Sequence, residues 1–93
     1  MKILKLHSKD NVAVTLCELG RGVEVEIEGK SVTLQDNIPY GHKFALCDIN
    51  EGEDIIKYGE SIGGASAEIK CGEHVHIHNL KSKRARGNLS PKL

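Results

Sequence analysis

No window of eleven residues in this chain sustains an apolar stripe at i, i+3, i+4 and i+7 without a glycine or a β-branched run cutting across it. An amphipathic helix therefore has nowhere to form. Strand patterning recurs instead. Val12, Val14 and Leu16 alternate along one stretch, and Val23, Val25 and Ile27 alternate with Glu24, Glu26 and Glu28 along the next. A period of two puts one face of each strand inward and leaves the other in water. Glu28-Gly29-Lys30-Ser31 then reads as a two-residue hairpin turn, in a register that sets Ile27 against Val32 and Val25 against Leu34. A slip of one residue would set Val or Ile against Ser and Thr, so the pattern selects its own register.

The rest of the chain carries a degenerate repeat. Ile38-Pro-Tyr-Gly-His-Lys-Phe44, Ile49-Asn-Glu-Gly-Glu-Asp-Ile55 and Ile69-Lys-Cys-Gly-Glu-His-Val75 share the form Ile-x-x-Gly-[His/Glu]-x-apolar. Each reads as a tight turn followed by a new strand, and Pro39 ahead of Gly41 suggests a type I turn. The unequal spacings exclude a solenoid of fixed period. Tyr58-Gly59 and Ile62-Gly63-Gly64-Ala65 read as two further bends. One Phe, two Tyr and no Trp leave the core to Val, Ile, Leu and Ala, which favours thin β layers over one thick centre. The fold class expected is all-β, built of short kinked strands and hairpins.

At 93 residues the chain is one small domain. Thirteen basic and thirteen acidic residues cancel, which argues against a nucleic-acid binder held by counterion release. No apolar run approaches the length of a membrane span, and Met1-Lys2-Ile3-Leu4 does not open a signal peptide. The charges are nonetheless segregated. Residues 1–80 hold all thirteen acids and eight bases, a net of −5, while residues 81–93 hold five bases and no acid. The expected organisation is a domain over 1–80 and a basic tail or linker over 81–93. Cys17, Cys47 and Cys71 form no C-x-x-C pair and read as buried reduced thiols, which implies a reducing compartment and a cytoplasmic protein.

Histidine carries the chemistry on offer. His74, His76 and His78 alternate with Val75 and Ile77 on one expected strand, so their imidazoles share a face. Residues i and i+2 on a strand lie about 6–7 Å apart, near enough for two imidazoles to ligate one metal ion. These three are the metal-ligand candidates. His42 leaves the first repeat's turn at the position where the third repeat has Glu73. Lys43 beside it offers a cation to a carboxylate. Asp10 and Asn11 at the first turn read as turn-formers, with Asn11 also a candidate for a site. No nucleophile elbow, phosphate loop or paired-carboxylate site is present in the sequence.

Asp10-Asn11-Val-Ala-Val14, Gly41-His-Lys-Phe-Ala-Leu46, Ile56-Lys-Tyr-Gly59, Ile62-Gly63 and Gly72-Glu-His-Val-His-Ile-His-Asn79 together resemble the N-terminal domain of the altronate dehydratase family. The resemblance covers about residues 1–80 and implies an SAF-type module with a β-clip fold. It implies a small subunit or N-terminal module that works with a large catalytic subunit, eliminating water from an aldonic or aldaric acid to give a 2-keto-3-deoxy acid. Galactarate dehydratase and (2R)-sulfolactate sulfo-lyase belong to the same family. It further implies a divalent ion, Fe2+ or Mn2+, held mainly by the large subunit. On this reading His42 and His76 are the catalytic candidates and lie nearest the substrate. Asn11, Lys43, His78 and Asn79 are the substrate-binding candidates, with His78 and Asn79 at the rim. Neither nucleic acid nor membrane enters. Two other classes stay open: a non-catalytic SAF binding module, as in sialic acid synthases and pilus or flagellar assembly proteins, and a small metal-binding protein.

Overall fold

The structure, a computed structural model, describes residues 2–5 and 7–82. Among the described residues there are nine strands and no helix, as the broken helical periodicity requires. The strands are β1 (Ile3–Leu4), β2 (Val12–Thr15), β3 (Glu24–Ile27), β4 (Lys30–Thr33), β5 (Lys43–Ala45), β6 (Asp54–Lys57), β7 (Glu60–Ala65), β8 (His74–Val75) and β9 (Leu80–Ser82). All pairings are antiparallel. A central sheet runs β1-β2-β5-β8, with a two-stranded β3-β4 ribbon and a three-stranded β6-β7-β9 ribbon beside it. Strand β9 takes in Lys81 and Ser82, the first two residues of the expected tail. From residue 83 onward that tail lies outside the described residues.

The central sheet is too short to bury one large core, so it buries a small one on each face. Successive side chains of β2 go to opposite sides: Ala13 joins Phe44, Val25, Val32, Leu34 and Ile38 in one cluster, and Val12 joins Ala45, Ile55, Ile69 and Val75 in the other. The alternation seen in the sequence is thus real, but both of its phases are buried, and all four residues of β2 are inaccessible. Phe44 is fully buried and supplies the largest side chain of either core. Its truncation to Ala would cost about 3–5 kcal/mol. The three cysteines are free and half-buried rather than fully buried.

The repeat has a fourth member that its consensus conceals: Leu19-Gly-Arg-Gly-Val23, with Leu in place of Ile. The four pair off, Leu19 bridging to Ile38 and Ile49 to Ile69. Each bridge closes a loop that contains one hairpin (β3-β4 or β6-β7) and then feeds one central strand (β5 or β8). Equivalent hydrogen bonds recur in both halves. Gly22 N–H donates to Leu34 C=O and Gly52 N–H to Ala65 C=O, each at 2.8 Å. The unequal spacings are therefore those of a duplicated unit, not of a solenoid.

Three local expectations need correction. The β3-β4 turn is Glu28-Gly29, both with positive φ (52° and 79°), so Val25 pairs with Val32 and Ile27 with Lys30. A type I′ turn sets the register through these two residues, and the pairing differs from the expected one by two positions, which leaves every side chain on its expected face. Gly41 sits third in the turn Pro39–His42 with φ 81°, the signature of type II rather than type I. Ile62 to Ala65 is no bend but the body of β7, opposite a register shift at Ile55/Ile56.

Candidate metal centre

Strand register builds the site. In the β5-β8 pair Phe44 faces His74 and Lys43 faces Val75. Continuing one step beyond the ladder sets His42 beside His76, on the face that also carries His74. The rings follow: His42 stacks on His76 with centroids 4.4 Å apart and on His74 at 5.0 Å. His42 Nδ1 and His74 Nε2 lie 2.8 Å apart, one donating and the other accepting according to tautomer. One ligand atom from each of His42, His74 and His76 lies within 4.8 Å of the other two.

The expected strand through His78 stops at Val75, and Asn79 is the reason. The chain turns over residues 76–79, with Asn79 N–H donating to His76 C=O at 3.1 Å. The buried Asn79 amide locks the turn: Oδ1 accepts the His76 N–H at 3.0 Å and Nδ2 donates to His74 C=O at 2.8 Å. An asparagine that satisfies nearby backbone groups in this way competes successfully with a strand ladder. Ile77, expected to face inward, projects from the turn at 82% exposure. His78 is exposed and packs its ring against His74 at 5.5 Å, outside the set whose ligand atoms converge. Two of the three expected metal ligands, His74 and His76, are thus joined by His42 rather than by His78.

Electrostatics favour the neutral form of two of the three, His74 and His76. Burial lowers the pKa of His74, and the neighbouring His42, His78 and His76 lower it further; Asp36, whose carboxylate accepts the His74 backbone N–H at 2.9 Å, opposes them weakly. Burial also lowers the pKa of His76, reinforced by His42, Lys43 and His78. Unprotonated imidazoles at neutral pH are the form that binds metal. His42 and His74 hold ring nitrogens 2.8 Å apart, a pair that shares one proton which a bound ion would displace. The donor set fits a divalent transition ion. Among the two expected, three imidazoles suit Fe2+ better than Mn2+, which prefers carboxylate and water oxygens.

The other candidates are placed differently. Lys43 is half-buried on the opposite face of β5 from His42, its ammonium pKa lowered by burial and by Lys57. Asn11 lies beyond the far end of the β2-β5 pairing, where Oδ1 accepts the Ile56 N–H at 2.7 Å and Nδ2 donates to Asp54 C=O at 2.9 Å. It ties the central sheet to β6 and is not brought to the histidines. Asp10 is a turn-former as read, accepting the backbone N–H groups of His7 and Gly59. Asp36, which fixes the edge of β8, escaped the sequence reading, since nothing in the pattern pairs residues 36 and 74.

The sequence profile of the family described as "Altronate/galactarate dehydratase SAF domain" matches residues 1–83. The chain belongs to that SAF domain family. The SAF domain is 49% identical over 82 residues to altronate dehydratase of Escherichia coli K12, covering 88% of this chain but 17% of that enzyme. To the (2R)-sulfolactate sulfo-lyase subunit alpha of Chromohalobacter salexigens it is 51% identical over 87 residues, covering 85% of this chain and 93% of that subunit. Galactarate dehydratase of E. coli K12 is 38% identical over 72 residues, 14% of its length. The SAF domain thus spans less than a fifth of the dehydratases it matches and nearly all of the sulfo-lyase subunit.

Proposed function

We propose that this SAF domain is the small, histidine-bearing part of a lyase acting on 2-hydroxy acids, altronate dehydratase-like, and that a larger catalytic subunit completes the active site. The observation that carries the reading is the convergence of His42, His74 and His76 at one end of the central sheet, in a chain of this family. The proton to be removed lies α to a carboxylate and is very weakly acidic, so the developing charge requires strong electrostatic help. A divalent ion, Fe2+ by the donor set, would supply that help as a Lewis acid. His42, His74 and His76 would hold it. With no ion bound, His42 and His76, lying side by side, are instead the candidates to hold or move a proton next to the substrate. Lys43, on the opposite face of β5, reaches this site only through its charge, which is felt at His76.

Three further ligand positions and most contacts to a six-carbon acid are beyond what a domain of this size offers, which supports a larger partner. Tyr40 and Ile77 support it too. They are 69% and 82% exposed, and each lies within two residues of a cluster histidine. Apolar side chains left in water around a polar centre mark a surface that a partner covers. A second reading, the small subunit of a sulfolactate sulfo-lyase, is favoured by the near full-length match to such a subunit. A cytoplasmic site of action agrees with three free cysteines.

The test is anaerobic titration of the chain with Fe2+ and Mn2+, followed by the variants His42→Ala and His76→Asn. The expected outcome is binding that each substitution weakens at least tenfold while unfolding free energy moves by about 0.5 kcal/mol, as for a half-exposed polar change. Binding unaffected by either variant would remove the metal centre from this reading.

A further inference from the structure

Outside the two hairpins, six turns among the described residues share one backbone bond, from the N–H of the fourth residue to the C=O of the first, and four of them add a second. In His7–Asp10, Asn50–Glu53, Lys70–Glu73 and His76–Asn79 the fourth side chain returns the bond by accepting the first residue's N–H, at 3.2, 2.7, 2.6 and 3.0 Å. The turn Pro39–His42 has the same backbone bond, His42 N–H to Pro39 C=O at 3.0 Å. Its fourth residue is also a hydrogen-bonding side chain, at the position held by Glu53 and Glu73 in the sister turns. Only the partner is missing, because proline has no N–H.

An imidazole nitrogen is able to serve in such a local bond. His7 Nδ1 accepts the N–H of Lys9 at 3.1 Å in this same structure. Were residue 39 anything but proline, its N–H would compete for the nitrogen of His42 that now lies 2.8 Å from His74. We infer that Pro39 is a positioning residue of the histidine cluster: by withholding an amide hydrogen it frees the His42 ring from its turn and releases it to His74 and His76. Pro39 is exposed, and its C=O accepts the His42 N–H, so its effect on the ring lies in the donor it lacks. The inference rests on the cluster being the functional face proposed above.

The experiment places Ala or Lys at position 39 of the full chain and follows the His42 ring nitrogens and the residue 39 amide by 15N NMR, with Fe2+ titration in parallel. In Pro39→Ala and Pro39→Lys the new amide is expected to exchange slowly, the His42 nitrogens to shift, and metal affinity to fall about three- to tenfold, the range set by one competing hydrogen bond. The double variant Pro39→Lys/His42→Glu copies the Lys70–Glu73 turn and should be more stable than Pro39→Lys alone while losing the metal. A residue 39 amide that exchanges freely in both single variants, with His42 nitrogens as in the parent, overturns the inference. If the parent chain binds no metal, the metal reading falls separately, and the ring-nitrogen shifts still decide the role of Pro39.

Discussion

His74 shows what crowding does to an imidazole. It lies half-buried against His42 and His76, with His78 on its exposed flank, Lys43 near His76, and the Asp36 carboxylate spent on its backbone N–H. Its folded-state pKa, like that of His76, is lowered from the ordinary value, first by burial and then by the other cations. In the unfolded chain both titrate near 6.5. As pH falls through that value the unfolded state takes up protons that the folded state declines, so stability drops. Above it both states are neutral and nothing is lost. These two histidines are therefore expected to add no pH dependence above about pH 7.5 and to make the metal-free chain lose stability progressively below about pH 6.5 until the folded pKa values are reached. Urea midpoints at pH 7.5 and 5.5 check this. The loss should shrink in a His74→Asn/His76→Asn variant, and an unchanged loss would move its origin elsewhere in the molecule.

At the scale of elements, glycine turns separate steric need from mere convenience. Gly52 and Gly72 hold equivalent places in sister turns, both with φ 89°. A Cβ on Gly52 would meet open space, whereas one on Gly72 would collide with the carbonyl oxygen of Thr33 at the end of the β3-β4 ribbon. Gly52→Ala should then cost only the left-handed strain, about 1–2 kcal/mol. Gly72→Ala must also displace backbone, for a total above about 3 kcal/mol. Chemical denaturation of both variants measures the difference, and equal costs would mean that the ribbon yields freely. These elements also show where the sequence was legible. Period-two alternation and glycine turns revealed the hairpin and three of the four repeats, because they are local. The register of β5 on β8, which brings His42 to His76, depends on a pairing across some thirty residues that no local pattern records. The end of β8 was written in Asn79, but an Asn after a strand signals a turn only once its amide is seen to clamp the histidines on either side of Val75.

For the whole molecule the question is what covers the histidine face. The duplicated unit buries two thin cores of aliphatic side chains and leaves the histidines, Tyr40 and Ile77 outside both. Such a domain is expected to be catalytically silent on altronate and other aldonic or aldaric acids, even with added iron or manganese. Three imidazoles would leave a bound divalent ion in need of other donors, and a domain of this size is too small to enclose a six-carbon acid. Dehydration by the purified chain would refute the requirement for a partner. Co-expression with a large dehydratase subunit should restore activity and slow hydrogen exchange over residues 41–46 and 74–79, since a covered face exchanges less than an open one. Glu24, Glu26 and Glu28 of the β3-β4 ribbon, whose side chains are solvated, should exchange as in the free chain. Protection confined to that acidic ribbon, with the histidine turns unchanged, would place the partner away from the histidines and end the proposal that this face closes an active site.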